Sequence, residues 1–263
     1  MSTLSYALTD SATMLRRNLK RMARYPSMTV MLIGMPIVFL LLFVYVFGGT
    51  LGAGLSGAGG GRAEYVNYVT PTIILMTITS AVQGTSISIA MDMTEGIVDR
   101  FRTMDIARVS VLTGHVLGSL IQTMLSITAV IGVALLIGFR PSAGPGDWLV
   151  FIGVLLLMAF AFIWLSVALG LASKTVESAS NVGMPLLLLP FLGSGFVPTD
   201  SMPTVLRWFA EYQPFTPLIE TLRGLLMGTP IGNNAAIAAG WCLAIALGGY
   251  LWSKKLFNRE STR

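Results

Sequence analysis

Long apolar runs alternate with short polar segments along this chain of 263 residues. A helix of about 20 residues crosses the roughly 30 Å hydrocarbon core of a bilayer, and six of the runs approach or exceed that length. Spans in lipid must be helical, because an open sheet would leave backbone groups unpaired. The pattern therefore predicts an all-α polytopic membrane protein, residues 1–263 forming a single transmembrane domain. Its six spans are expected over about Met28–Phe47, Tyr68–Met91, Val111–Gly138, Trp148–Ala172, Ser180–Val197 and Ala235–Trp252.

The fifth run is the least regular of the six. Pro185 and Pro190 remove two backbone hydrogen-bond donors within it, so the sequence predicts a kink there.

Composition supports a membrane protein and excludes several kinds of site. Hydrophobic residues make up 54% of the chain and charged residues 11%, against roughly a quarter charged in soluble domains. One Cys and one His cannot form a metal site, and the segment Gly170–Thr175 lacks the glycines of a phosphate-binding loop. This chain is therefore expected to carry no catalytic residue, no cofactor and no metal.

The distribution of Lys and Arg predicts the orientation. With six spans and both termini inside, thirteen of these residues lie on the cytoplasmic side and four outside, as the positive-inside rule requires. The net charge of +5 is thus interpreted as a sign of membrane orientation rather than of nucleic-acid binding. The expected location is the plasma (inner) membrane of a prokaryote.

The N-terminal segment, residues 8–25, has the pattern of an amphipathic helix. Leu8, Ala12, Leu15, Leu19 and Met22 recur at steps of four and three, along one helical face. Basic residues that could approach anionic lipid occupy the rest of the surface: Arg16, Arg17, Lys20, Arg21 and Arg24. The segment is predicted to lie on the cytoplasmic leaflet. The alternative is a basic tail that only sets topology.

Two segments are predicted outside the membrane. Gly48–Gly61 is glycine-rich and is expected to be a flexible linker. Residues 198–234 are expected to form an extracellular helical loop with helices over about Thr204–Tyr212 and Pro217–Met227. In the second of these helices Glu220 and Arg223 are spaced to pair, and four leucines could enter the outer membrane interface: Leu218, Leu222, Leu225 and Leu226.

A charged segment interrupts the apolar pattern between the second and third predicted spans. Seven of the seventeen residues from Asp92 to Arg108 are charged, so this segment must contact water or protein rather than lipid. Ile97, Phe101 and Met104 nevertheless form an apolar stripe at helical spacing, with Val98 beside them. The pattern alone fits equally a docking helix for a soluble partner and a solvated loop with local ion pairs.

The predicted spans contain no charged residue at their apolar centres. Gradient-driven transporters usually need such residues to bind ions or relay protons, so this class is disfavoured. His115 lies near the inner end of the third predicted span, where a lone histidine is expected to be a packed or interfacial residue rather than a ligand or relay.

Three stretches resemble the ABC-2 type permeases, in particular their daunorubicin-resistance branch of drug exporters. "TEGIVDRFRTMDIARVSVLTG" is similar to the family's coupling-helix region, and "EYVNYVTPTIIL" resembles the family's entry into the second span. "FLGSGFVPTDSMPTVLRWFAEYQPFTPLIETLRGLLMG" resembles the run from the fifth span into the outer loop. Two departures stand out: Asp105 where the family often has Pro, and Pro71-Thr72 where it often has Pro-Gly.

The resemblance implies a transport subunit, not an enzyme, that exports a hydrophobic or amphipathic drug, antibiotic or lipid. Two permease copies, as a homodimer or heterodimer, would pair with separate ATP-binding subunits that hold ATP and magnesium. Residues 92–108 would form the coupling helix, begun by Glu95 and Gly96, while the N-terminal helix would add a second cytoplasmic contact. The apolar contact would come from Ile97, Val98, Phe101 and Met104, and its polar rim from Asp99, Arg100 and Arg102.

Two further alternatives stay open at this point. An ABC-2 permease could carry a polysaccharide or lipid-linked glycan, although the tryptophans lie mostly at span ends, as interfacial anchors do. The chain could also be a membrane scaffold that recruits a soluble partner through residues 92–108.

Overall fold

A computed structural model describes residues 3–24, 26–56, 61–96 and 108–259. The regular structure of these residues is helical, with no strand among them, which confirms the predicted all-α class. The helices are α1 Thr3–Arg24, α2 Pro26–Leu42, α3 Gly48–Ser56, α4 Arg62–Thr94, α5 Arg108–Leu136, α6 Pro145–Ala172, α7 Val176–Val182, α8 Met184–Leu188, α9 Thr204–Tyr212, α10 Phe215–Met227 and α11 Asn234–Arg259.

Five helical segments in the described chain are long and apolar enough to cross a membrane: Val30–Leu55, Arg62–Thr94, Leu112–Leu136, Pro145–Ala172 and Asn234–Phe257. The predicted fifth run, Ser180–Val197, is not one continuous helix. It is divided among α7, α8 and a 3-10 turn at Leu189–Leu192, with Gly183 between α7 and α8. Pro185 and Pro190 begin the pieces that follow, because proline is accepted in the first turn of a helix. The count of six spans stays a prediction.

Helix α4 is the central element of the bundle. Most of its apolar length is buried: 72% of an apolar 18-residue stretch, against 17–50% of the corresponding stretches in the other four segments. This burial arises because α2, α5, α6, α7 and α10 surround α4. Its hydroxyl groups are paired within the protein: Ser86 Oγ lies 3.0 Å from Ser166 Oγ, and Ser166 in turn donates to the Val82 carbonyl. These bonds explain how a helix rich in Thr and Ser can occupy the centre of an apolar bundle.

The first half of the predicted glycine linker is helical, which corrects the sequence-based expectation. After α2 the chain passes through a π-helical turn, Phe43–Phe47, and continues as α3 over Gly48–Ser56. Helix α3 packs against α4, and a Cβ at Gly52 would overlap the backbone of Gly61. Glycine here permits a close approach of two backbones rather than flexibility. Residues 57–60 of the predicted linker lie outside the described chain.

The outer loop contains the two predicted short helices, but the second is a core element. The described bounds of α9 are those predicted, and α10 begins two residues earlier than predicted. The four leucines of α10 are at most 7% exposed and belong to the main hydrophobic core: Leu218, Leu222, Leu225 and Leu226. They contact protein rather than the membrane interface, because α10 packs against α4, α6 and α11.

Side chains of α4 and α10 bind the non-helical backbone at residues 194–196. Tyr68 Oη donates to Ser194 O at 2.7 Å, Thr72 Oγ1 to Gly195 O at 2.7 Å, and Tyr65 Oη to Phe196 O at 3.3 Å. Each of these three consecutive carbonyls thus has a partner, as irregular backbone inside a membrane protein requires. The segment is fixed against the N-terminal half of α4.

Candidate coupling site

We call the "basic end" the end of the bundle where α1, the last turn of α4 and the first turns of α5 meet. Helix α4 ends at Thr94. The Glu95 N–H donates to Met91 O at 2.9 Å, and Gly96 has a φ of +65°. A left-handed residue after the last turn is a common helix ending and favours glycine. Of the predicted coupling residues, Glu95 and Gly96 therefore complete α4.

The other predicted coupling residues lie outside the described chain: Ile97, Val98, Asp99, Arg100, Phe101, Arg102 and Met104. Asp105, the departure from the family pattern, lies outside it as well. The structure does fix the two points between which they connect, Gly96 at the end of α4 and Arg108 at the start of α5.

Asp92 is part of α4 and is buried, although the sequence placed it in the solvated charged segment. Its side chain is 2% exposed, and its Oδ2 atom lies 3.1 Å from both Arg17 Nη2 and His115 Nε2. A buried carboxylate requires such partners. We call these three residues the Asp92 cluster. It joins α1, α4 and α5.

Helix α1 docks on α5 through Met14 and Asn18, which are not part of the predicted apolar stripe. The location of that stripe on the cytoplasmic leaflet stays a prediction. A Cβ at Gly114 would overlap Met14, and a Cβ at Gly118 would lie 3.1 Å from Asn18 Cβ. Met14 is buried, whereas Ala12 and Leu19 from the predicted apolar stripe are exposed. Two glycines four residues apart form a groove on α5 that admits the α1 backbone, and this groove selects the docking face.

The basic residues of α1 divide into two groups. Arg16, Lys20 and Arg24 are exposed, whereas Arg17 is half-buried because it points to Asp92. The side chain of Arg21 lies outside the described part. A basic, exposed surface therefore remains on α1 beside the point where α4 ends.

A cavity of about 90 Å³ lies beside the Asp92 cluster, between α1, α2, α4 and α5. Its polar lining includes Asn18, Thr85, His115, Ser119 and Gln122. Its lining also includes apolar residues such as Met22 and Leu32, so its size and its few polar groups suit a small number of water molecules. His115 is thus a packed, hydrogen-bonded residue at the edge of this cavity.

The fold separates the described cations between the two ends of the bundle. The basic end carries the residues of α1 together with Lys174, at the end of α6, and Lys254 and Lys255, in the last turns of α11. The opposite end carries Arg62, Arg140, Arg207 and Arg223.

The Asp92 cluster was not predicted from the sequence. A hydrophobic stripe on α1 cannot reveal which distant helix it contacts, and in the sequence Asp92 stands at the start of a run of charged residues. The available signal was the pair Gly114 and Gly118, whose spacing marks a surface for close helix packing.

Comparison with known proteins gives the family. The ABC-2 type transporter family model matches residues 10–227. The daunorubicin resistance ABC transporter permease protein DrrB1 of Streptomyces coeruleorubidus is 27% identical over 242 residues, which cover 89% of this chain and 82% of the relative. The probable doxorubicin resistance ABC transporter permease protein DrrC of Mycobacterium tuberculosis is 24% identical over 221 residues, 83% of this chain and 78% of the relative.

A more distant relative is ABC transporter G family member 20 of Dictyostelium discoideum. It is 24% identical over 173 residues, covering 64% of this chain and 23% of the relative. The family match covers most of the helical bundle and includes four of the five described segments that are long and apolar enough to span a membrane. The chain is a multi-pass membrane protein that belongs to the ABC-2 type transporter family.

Proposed function

We propose that this chain is the permease subunit of an ATP-driven exporter, moved by a separate ATP-binding subunit that docks on residues 92–108. The basic end would face the cytoplasm and the end with α9 and α10 the outside. The observation that carries the proposal is that α4 ends and α5 begins at the basic end of an ABC-2 bundle, so that residues 97–107 are the chain segment between these two points.

The separation of cations supports this orientation. In the described chain, the Lys and Arg residues of α1 and α11 and Lys174, just after α6, lie at one end, as expected of cytoplasmic segments. The ATP-binding subunit would approach there and would supply ATP and magnesium. A second permease copy, identical or similar, would complete the path.

The cargo would be a hydrophobic or amphipathic compound. The segments that could span the membrane are mostly apolar and leave large side chains such as Met31, Leu149 and Leu243 exposed. The names of the relatives from Streptomyces and Mycobacterium refer to resistance to daunorubicin and doxorubicin, so compounds of that class are the first to test.

The test is a substitution in the apolar stripe of the predicted coupling helix. Phe101→Asp places a charge where we expect an apolar contact, so it should abolish both co-purification with the ATP-binding subunit and vanadate-sensitive ATPase activity. Phe101→Leu preserves apolar character and is the matched control. Both variants should reach the membrane fraction at the level of the unmodified chain. Normal co-purification and activity of Phe101→Asp would refute the docking assignment.

A further inference from the structure

We propose that Asp92 is a positioning residue that fixes the N-terminal helix α1 to α4 and α5. Helix α1 would then move as one body with the two helices that flank residues 97–107. This inference rests on the proposed function, because it concerns how the coupling segment is held on the permease.

The electrostatics of α4 require a cation from another element. Asp92 lies in the last turn of α4, where the helix dipole disfavours negative charge, and this turn contains no basic residue. Its nearly complete burial adds a desolvation cost. Arg17 from α1 supplies this cation, and His115 from α5 shares the same carboxylate oxygen through a hydrogen bond.

The backbone packing restrains α1 in the same place. Gly114 and Gly118 bring α5 so close that a Cβ at Gly114 would overlap Met14 and a Cβ at Gly118 would lie only 3.1 Å from Asn18 Cβ. Arg17 lies between these two contacts in the sequence of α1, so its ion pair and the close packing act on the same helical turns. Helix α1 is held along α5 and, through Asp92, at the end of α4.

The location gives this restraint a role in coupling. Asp92 is three residues before Glu95 and four before Gly96, where α4 gives way to the predicted coupling segment. A displacement of residues 97–107 would be transmitted to both α4 and α5. With the Asp92 cluster intact, α1 and its exposed Arg16, Lys20 and Arg24 follow the same displacement.

A reversible disulfide tests whether α1 moves with α5. Asn18→Cys and Gly118→Cys, in a Cys242→Ser background, place two Cβ atoms about 3.1 Å apart, near the roughly 3.5–4.5 Å of a disulfide. Oxidation should form the bond and leave the vanadate-sensitive ATPase activity of the co-purified complex unchanged. Failure to form the bond, or inhibition that reduction reverses, would overturn the proposal.

The same pair tests the positioning role of Asp92. Adding Asp92→Asn should lower the activity of the reduced complex at least about tenfold, because Arg17 loses its buried partner. Oxidation should restore the activity, since a covalent bond then holds α1 in place. Asp92→Glu should retain part of the activity, and Arg207→Gln, at an exposed ion pair on α9, is the matched control. Full activity of reduced Asp92→Asn, or no recovery after the disulfide forms, would contradict the positioning role.

The proposal can fail separately from the proposed function. If the unmodified chain does not co-purify with the ATP-binding subunit, the proposed function fails. The rate of disulfide formation in the purified permease alone then still tests the Asp92 cluster. We expect Asp92→Asn to lower that rate about tenfold, and an unchanged rate would overturn the proposal.

Discussion

At the scale of single residues, Arg223 of α10 holds the outer loop against α4. Its side chain is 12% exposed, and its guanidinium lies 3.8 Å from the centre of the Tyr68 ring. Nη2 donates to Tyr68 O at 3.2 Å and to Ser194 O at 3.0 Å, while Nη1 donates to Glu220 at 2.5 Å. One cation thus joins α10, α4 and the irregular backbone at Ser194.

Arg223→Gln should therefore destabilise the permease. It removes the charge-assisted hydrogen bonds to Tyr68 O and Ser194 O and leaves Glu220 without its cation, so we expect a loss of about 2–4 kcal/mol in the free energy of unfolding in detergent. Arg207→Gln is the control: Arg207 also pairs with carboxylates, but on the exposed surface of α9, so it should change stability little. Equal stability of Arg223→Gln and Arg207→Gln would show that the buried contacts of Arg223 are not stabilising.

At the scale of elements, the packing of α1 on α5 depends on glycine. Helices pack side by side only where their surfaces match, and small residues let two backbones approach. Gly114 and Gly118 provide that surface on α5, whereas a Cβ at Gly132 of the same helix would meet no described atom within 4 Å. Packing thus requires glycine at position 114, allows a tight contact at Gly118, where a Cβ would lie 3.1 Å from Asn18 Cβ, and places no demand on Gly132.

Gly114→Leu should displace α1 from α5. Overpacking costs about 1–3 kcal/mol, and each 1.4 kcal/mol is about a tenfold change in an equilibrium, so the rate of the Asn18→Cys/Gly118→Cys disulfide should fall about tenfold. Gly132→Leu, which adds the same side chain to the same helix, should leave this rate unchanged. If both leucine variants form the disulfide equally fast, the described docking of α1 is wrong.

At the scale of the whole molecule, the sequence pattern predicts most of the helices but not their partners. The bounds of α9 follow from a local signal, the proline that precedes the helix. The pair Glu220–Arg223 also follows from a local signal, because residues spaced i,i+3 lie side by side on one helix. The failures involve distant contacts. Gly48–Ser56 is helical because it packs on α4. The docking face of α1, which was not predicted from the sequence, depends on Gly114 and Gly118, about a hundred residues after Met14 and Asn18.

The location of the candidate site, too, could be predicted from local sequence signals, but its distant contacts could not. Charge density located the segment between α4 and α5, and the Lys and Arg count assigned it a side. Neither signal could show that Asp92 is buried. Hydropathy assigns an aspartate the same value whether its carboxylate is buried beside a cation or exposed to water. Only the three-dimensional meeting of α1, α4 and α5 distinguishes Asp92 from its exposed neighbour Glu95.

The central claim is that an ATP-binding subunit docks at residues 92–108, and cross-linking in native membranes tests it most directly. The variant Phe101→Cys, in a Cys242→Ser background, is co-expressed with that subunit and treated with a short reagent that links cysteine to lysine. It should give a cross-linked product whose mass is the sum of the permease and the ATP-binding subunit. Trp208→Cys, on the exposed face of α9 at the opposite end, should give none. A product from Trp208→Cys but not from Phe101→Cys would contradict the account.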